Sequence, residues 1–219
     1  MRSEKDLKNE FRKICLKNKT FNRYYYSKII GRKLYKIAKN FKNILFFVPL
    51  RNETDVHWVL KRLKRENKEI FVPFMEDLSF KMVKYQLPLK RKKFSILEPV
   101  NKRKTLKKID LAIVPVVGID STFRRIGFGK GMYDRFFENL KEKPEIVFVQ
   151  LRPCVSGVVL TGKHDIKADR FISFNIDKRR RNVGTDTFSR YDIIRSRGIF
   201  YSEKNGFRKI RHLRRTGES

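Results

Sequence analysis

Apolar positions recur along this chain with two different periods. Between Lys5 and Cys15, the residues Leu7, Phe11, Ile14 and Cys15 fall on one side of a helix while Lys and Arg occupy the other. Spacings of three and four turn one face inward in this way. A second helix is expected from Asn22 to Phe41. Ile44 to Val48 is then a compact apolar run of strand-favouring residues, closed by Pro49 and followed by the polar turn Leu50-Arg51-Asn52-Glu53-Thr54. A helix should begin there. Asn52 or Thr54 stands where a capping side chain accepts from the first amides, Asp55 suits the positive end of the dipole, and Val56, Val59, Leu60 and Leu63 mark the buried stripe.

Glu69 to Pro73 and Phe80 to Tyr85 read as two short strands, and Asp110 to Val117 is the most strand-like run in the chain. It is almost wholly apolar, without the alternation of a half-exposed strand, which places it inside a parallel sheet covered on both faces. A helix from Gly131 to Lys141 carries Met132, Tyr133, Phe136, Phe137 and Leu140 on one side, and Ile146 to Val149 and Phe171 to Ile176 complete a strand-helix-strand rhythm. The expected class is α/β, a layered domain with a mostly parallel central sheet over residues 1–177.

Composition narrows this reading. The chain has 219 residues, 40% of them hydrophobic, with 19 Phe and 8 Tyr, enough to bury a full core and to exclude wholesale disorder. Its longest apolar stretches, Ile44 to Leu50 and Leu111 to Ile119, fall well short of the roughly 20 residues of a transmembrane helix. The charged opening Met1-Arg2-Ser3-Glu4-Lys5-Asp6 lacks the apolar core of a signal peptide, so a cytoplasmic location is expected. The two cysteines, Cys15 and Cys154, are far apart and form no CxxC pair, and are expected as reduced, buried thiols. Three histidines, His57, His164 and His212, show no zinc-binding spacing.

Charge raises a competing possibility. There are 54 Lys and Arg against 23 Asp and Glu, a formal +31, and basic residues adjoin Phe21, Tyr24, Tyr25 and Tyr26, which points toward nucleic acid. Lys and Arg are nevertheless spread over every segment, as on a solvated surface. Residues 178–219 form a basic extension with 13 Lys and Arg against 4 Asp and Glu, opening on Lys178-Arg179-Arg180-Arg181 and closing on the basic stretch Arg208 to Arg215. Phe188, Tyr191, Ile193, Ile194, Ile199, Phe200 and Tyr201 make it less polar than a typical disordered tail. Any nucleic-acid contact is expected through this extension.

The most informative residues are Arg124-Arg125-Ile126-Gly127-Phe128-Gly129-Lys130-Gly131-Met132-Tyr133-Asp134. Three glycines at alternate positions free the backbone so that N–H groups converge on one anion, and the expected helix would point its positive end at the same place. Arg125 and Lys130 add full charges, and Asp134 is placed to hold a divalent cation bridging phosphate oxygens. A P-loop needs GxxxxGK followed by Ser or Thr, and a dinucleotide fold needs GxGxxG; neither spacing is present.

This run resembles the hallmark of the 5-formyltetrahydrofolate cyclo-ligases, Arg-Leu-Gly-x-Gly-x-Gly-Tyr-Tyr-Asp after a strand ending in Pro and a short Phe-Asp turn; here the strand from Asp110, through Pro115 to Asp120, leads into Arg125 to Asp134. Further landmarks occur in order: Lys8-x-x-x-Arg12, Pro49-x-x-x-Glu53, Glu98-Pro99 and His164-Asp165 to Asp169. The resemblance covers about residues 5–175. Met132 replaces the first Tyr of the hallmark, and Leu151 to Gly157 departs from the usual Gln and Val-Pro, with Gln150 the candidate for that Gln.

The resemblance implies a three-layer α/β/α domain that uses ATP and Mg2+ to close 5-formyltetrahydrofolate, with or without a polyglutamate tail, into 5,10-methenyltetrahydrofolate. The formyl oxygen takes the γ-phosphoryl group and N10 then attacks the activated carbon. It further implies that Lys8, Arg12 and Arg125, Ile126, Gly127, Phe128, Gly129, Lys130, Gly131, Met132 and Tyr133 form the ATP site, with Arg125 and Lys130 serving catalysis. Val48 and Glu53, with Phe128 to Met132, would bind the folate, and Asp134 and Asp165 the metal. A monomer is expected. The alternatives are a nucleic-acid-binding protein and a relative that binds ATP without turnover.

Overall fold

The computed structural model describes residues 3–17, 22–76, 79–91, 97–100, 108–180, 199–202 and 206–209. The chain opens with α1 (Glu4–Lys17) and α2 (Arg23–Ala38), the latter capped by Asn22, whose side chain accepts from the Tyr25 amide. A seven-stranded sheet follows. Strands β1 (Asn43–Leu45), β2 (Glu69–Glu76), β6 (Leu111–Pro115), β9 (Glu145–Val149) and β11 (Arg170–Ile172) run parallel in the order β11-β9-β6-β1-β2. Antiparallel strands β3 (Ser79–Lys84) and β12 (Asp177–Arg179) close its two edges.

The apolar runs resolve into two faces once the pleat is imposed. Ile44, Ile70, Val72, Leu111, Ile113, Val147 and Val149 join one core under α2 and α3 (His57–Arg65). Leu45, Phe71, Ala112, Val114, Ile146 and Phe148 join the other, with Tyr133, Phe136 and Phe137 of α4 (Met132–Glu138). Successive strand residues point to opposite sides, so a strand buried on both has no polar positions. This is the expected three-layer arrangement. Among the described residues, no helix is long and apolar enough to cross a membrane.

Four local expectations are corrected. The third helix starts at His57 after Val56, with no side-chain cap; Asp55 instead accepts from the His57 amide at 3.0 Å, and the Thr54 hydroxyl is buried without a hydrogen-bond partner. The turn from Leu50 to Glu53 holds the chain back, because the Glu53 amide donates to the Leu50 carbonyl at 3.0 Å. Helix α4 ends at Glu138 rather than Lys141, and β11 ends at Ile172, where the Lys33 ammonium takes up the carbonyls of Ser173, Phe174 and Ile176.

The fourth correction concerns the cysteines. Cys15 and Cys154 form a disulfide, with Cα atoms 5.7 Å apart although the two residues are 139 positions apart in sequence. Strands β7 (Gly118–Ile119), β8 (Arg125–Ile126) and β10 (Cys154–Ser156) build a second, smaller sheet, each too short to show a period. Helix α1 lies on it through Phe11, Cys15, Val117, Ile126, Cys154 and Leu160. That packing, invisible in cysteine spacing, brings the sulfurs together.

Past Asp177 the chain continues in both sheets: β12 takes in Lys178 and Arg179, while β13 (Ile199–Ser202) pairs with β10 and β14 (Gly206–Lys209) with β13. A short hairpin, β4 (Leu89–Arg91) and β5 (Leu97–Pro99), completes the described strands. Residues 181–198 and 210–219 lie outside the described residues, and with them Arg181, Phe188, Tyr191, Ile193, Ile194 and the basic residues Arg211 to Arg215. Phe21 lies outside them as well. Tyr26 stacks on Phe174 at 4.2 Å inside the fold, whereas Tyr24 and Tyr25 are exposed.

Candidate functional site

The strand order reverses beside β1: both of its neighbours follow it in sequence, but β2 and β3 are added on one side and β6, β9 and β11 on the other. In open α/β sheets the crevice beyond the carboxyl ends at such a reversal is where ligands bind. A cavity of about 270 Å³ occupies that place, between Phe47 and Val48 after β1, Pro73 and Met75 of β2, and Pro115 of β6. Its other wall is the glycine loop, with Phe128, Lys130, Gly131, Met132 and Tyr133, and Arg125 and Glu53 reach it as polar groups.

Glu53 is held by the turn that delays α3. The Leu50 amide donates to its Oε2 at 2.9 Å, and Arg23 donates to the backbone carbonyls of Glu53 and Leu50 at 2.8 and 3.4 Å. Burial pushes the Glu53 carboxyl up to about 7, against the opposing pull of the Leu50 amide, Arg125 and Arg23. Arg23 was not found from sequence; an arginine at a helix start carries no signal of what it braces.

Arg125 is buried, yet its guanidinium is well placed. Nε donates to the Pro115 carbonyl at 3.3 Å, the head lies 4.7 Å from the centre of the Tyr133 ring, and Nη1 stands 3.6 Å from Asp134 Oδ2. Gly127 makes room for it: a Cβ there would lie 2.7 Å from the guanidinium. Gly129 and Gly131 adopt φ of +99° and +61°, left-handed conformations that other residues adopt at a cost. Burial also raises the Tyr133 hydroxyl well above its ordinary value, with the Glu53 charge adding to the effect.

Helix α1 brings in the N-terminal pair. Lys8 Nζ donates to both oxygens of Asp165 at 2.8 and 2.6 Å, and Arg12 Nε donates to the Gly127 carbonyl at 2.6 Å. One turn apart on a helix, they would by default face solvent; here both grip the site. Ile126 is the exception among the loop residues, since its side chain points into the small core under α1. Gln150 is structural: it donates to the Val117 carbonyl at 2.5 Å and accepts from the Cys154 amide at 3.0 Å. Glu98 is buried and accepts from the Met75 amide at 2.9 Å. Because α4 has only seven residues, the positive charge beside the loop comes from the Arg12, Arg125 and Lys130 side chains more than from a helix dipole.

Asp134 and Asp165 both line a second, larger cleft of about 1010 Å³, with His164 at its rim. Asp134 Oδ1 accepts from the Ile166 amide at 3.1 Å, and Asp165 Oδ2 from the Gly162 amide at 2.9 Å. No group of three or more His, Cys, Asp or Glu side chains assembles a metal cage among the described residues. Two hard carboxylates still fit Mg2+, which keeps waters and phosphate oxygens for its remaining positions. The Lys8 ammonium across both Asp165 oxygens shows that this carboxylate already carries a cation.

Fold and site together define an α/β protein with a cationic glycine loop beside a small apolar pocket. The chain belongs to the 5-formyltetrahydrofolate cyclo-ligase family, whose sequence model matches residues 1–169. It is 28% identical over 110 residues to the 5-formyltetrahydrofolate cyclo-ligase of Haemophilus influenzae, covering 47% of this chain and 59% of that one. The mouse enzyme of the same name is 23% identical over 161 residues, covering 66% and 78%. The matched stretch thus spans less than two thirds of the Haemophilus protein. In fold, the chain resembles the 5,10-methenyltetrahydrofolate synthetase of Aquifex aeolicus, with a TM-score of 0.68 over 83% of this chain and 94% of that one at 23% identity. The Mycoplasma pneumoniae synthetase gives 0.55 over 78% and 98% at 20% identity.

Proposed function

We propose that this protein closes 5-formyltetrahydrofolate into 5,10-methenyltetrahydrofolate at the expense of ATP, releasing ADP and phosphate. The observation that carries the reading is the cavity at the sheet reversal, with the Glu53 carboxyl on one wall and the Arg125–Lys130 loop on the other. A cavity of this size takes a bicyclic ring and leaves the rest of a folate outside. Val48 and the turn bearing Glu53 would line the pterin, whose adjacent N–H groups match two carboxylate oxygens. Phe128 to Met132 would meet the formyl end.

The formyl oxygen attacks the γ-phosphorus, the bond to the ADP oxygen breaks, and a phosphorylated iminium results. N10 then attacks the formyl carbon, loses its proton, and phosphate leaves with the former formyl oxygen. Phosphoryl transfer of this kind asks for positioning and charge neutralisation more than for a protein nucleophile. Arg125 and Lys130 would neutralise the transferring group, while Lys8 and Arg12 bind the other phosphates. Mg2+, when bound with ATP, supplies further neutralisation, and Asp134 and Asp165 would hold it. Moving from Asp165 to a phosphate oxygen would free that carboxylate and keep the Lys8 charge paired.

The test is formation of the methenyl product, followed by its near-ultraviolet absorbance. Product should form only with both ATP and Mg2+ present, and Asp134→Ala should abolish it. Folded protein that gives no product from fresh substrate refutes the proposal.

A further inference from the structure

Asp120 is the most deeply buried acidic side chain among the described residues, with no solvent exposure, and the reading above leaves it without a role. Both oxygens are occupied. Oδ1 accepts from the Thr122 amide at 3.0 Å, the Thr122 hydroxyl at 2.7 Å and the Arg124 amide at 3.3 Å. Oδ2 accepts from the Leu160 amide at 3.1 Å and the Thr161 hydroxyl at 2.5 Å.

The two oxygens hold two different parts of the site. The first fixes the turn between β7 and β8, where Phe123, two residues before Arg125, takes φ +61°. The second fixes the segment that reaches Asp165 four residues after Thr161. Gly162 passes the constraint on, since its amide donates to Asp165 Oδ2 and its carbonyl accepts from the Asp165 amide. Beyond this bracket the segments run side by side, through Arg125 amide to Ile166 carbonyl, Ala168 amide to Phe123 carbonyl, and Ile166 amide to Asp134.

We propose that Asp120 is a positioning residue for the phosphate and metal machinery: it sets Arg125 and Asp165 in register without touching either ligand. The inference rests on the ATP and Mg2+ reading of this site. Only a carboxylate suits the position, because three amides donate to it from two directions. Asn has one acceptor oxygen and would turn an NH2 group toward N–H donors on the other side. Outer-shell partners of a metal-binding group typically govern affinity by 10- to 100-fold when removed.

Two variants test it. Asp120→Asn breaks one half of the bracket, and Thr161→Val, nearly isosteric, removes a single hydroxyl from Oδ2. Each is measured as folded protein for Mn2+ binding in the presence of a non-hydrolysable ATP analogue, for 5-formyltetrahydrofolate binding, and for amide hydrogen exchange across residues 158–168. Both should exchange faster at 160–166 and bind Mn2+ with the nucleotide roughly tenfold more weakly, with folate binding unchanged. Should Asp120→Asn not fold, Thr161→Val alone decides. Unchanged Mn2+ affinity in folded Thr161→Val, or an equal loss of folate binding, overturns the positioning role. If the wild-type protein itself binds no Mn2+ with the nucleotide, the ATP and metal reading falls, and the role built on it falls too.

Discussion

Replacing Glu53 by Gln keeps the shape of the side chain and an acceptor for the Leu50 amide while removing the charge. The carboxyl is raised by burial from 4.5 to about 7, so the folded protein holds a proton there that the unfolded chain has lost. Between those two values the folded state binds more protons, and stability falls as pH rises. The difference of about 2.5 pH units corresponds to at most ~3 kcal/mol, reached above pH 7. Gln does not titrate and escapes this cost. Glu53→Gln should therefore match the wild type near pH 4 and exceed it increasingly up to pH 8, by roughly 6–12 °C in Tm for a chain of this size. Thermal melts of both proteins from pH 4 to 8 provide the assay, and the difference between them isolates Glu53 from other titrating groups. A difference that does not change with pH, or that favours the wild type at high pH, refutes the burial argument. The same variant should lose folate turnover, because the one oxygen of Gln is held by the Leu50 amide and its NH2, a donor, would then face the N–H groups of the pterin. A charge held at a cost in stability marks a candidate functional site.

Other consequences are equally direct. Alkylation of the denatured, unreduced protein should leave Cys15 and Cys154 unlabelled, and reduction should cost about 2–4 kcal/mol in denaturant unfolding. Gly127→Ala puts a methyl group 2.7 Å from the buried Arg125 guanidinium, so kcat should fall on the order of tenfold or more with little change in the folate KM. Gly31→Ala meets the Trp58 ring at 2.6–2.8 Å where α2 crosses α3; it should cost about 1 kcal/mol and shift the emission of the single tryptophan, without altering turnover.

Much of the architecture was legible because long elements repeat their period several times. The doubly buried strands declared themselves by lacking polar positions, and α1 and α2 by spacing. What failed was local. The start of α3 depended on a turn closed by Glu53 and Arg23, not on the nearest capping residue. The lengths of α4 and β11 depended on where neighbouring carbonyls found donors, as with Lys33. The two- and three-residue strands of the small sheet left no periodic trace at all. In the site, the glycine loop, Lys8, Arg12, Glu53, Asp134 and Asp165 were named from ordered motifs, whereas Arg23 and Asp120 have no motif and act only through partners distant in sequence.

The sequence by itself determined the layers, the family and the residue types that phosphate chemistry requires, because these follow from periodicity and from short contiguous motifs. Tertiary structure decided which groups meet. The reversal of strand order at β1 placed Glu53 across a cavity from the glycine loop, and the docking of α1 turned Lys8 and Arg12 into partners of Asp165 and Gly127. The same docking joined Cys15 to Cys154 where spacing gave two separate thiols. Contacts between residues more than a hundred positions apart depend on how whole elements pack, and no local pattern records that.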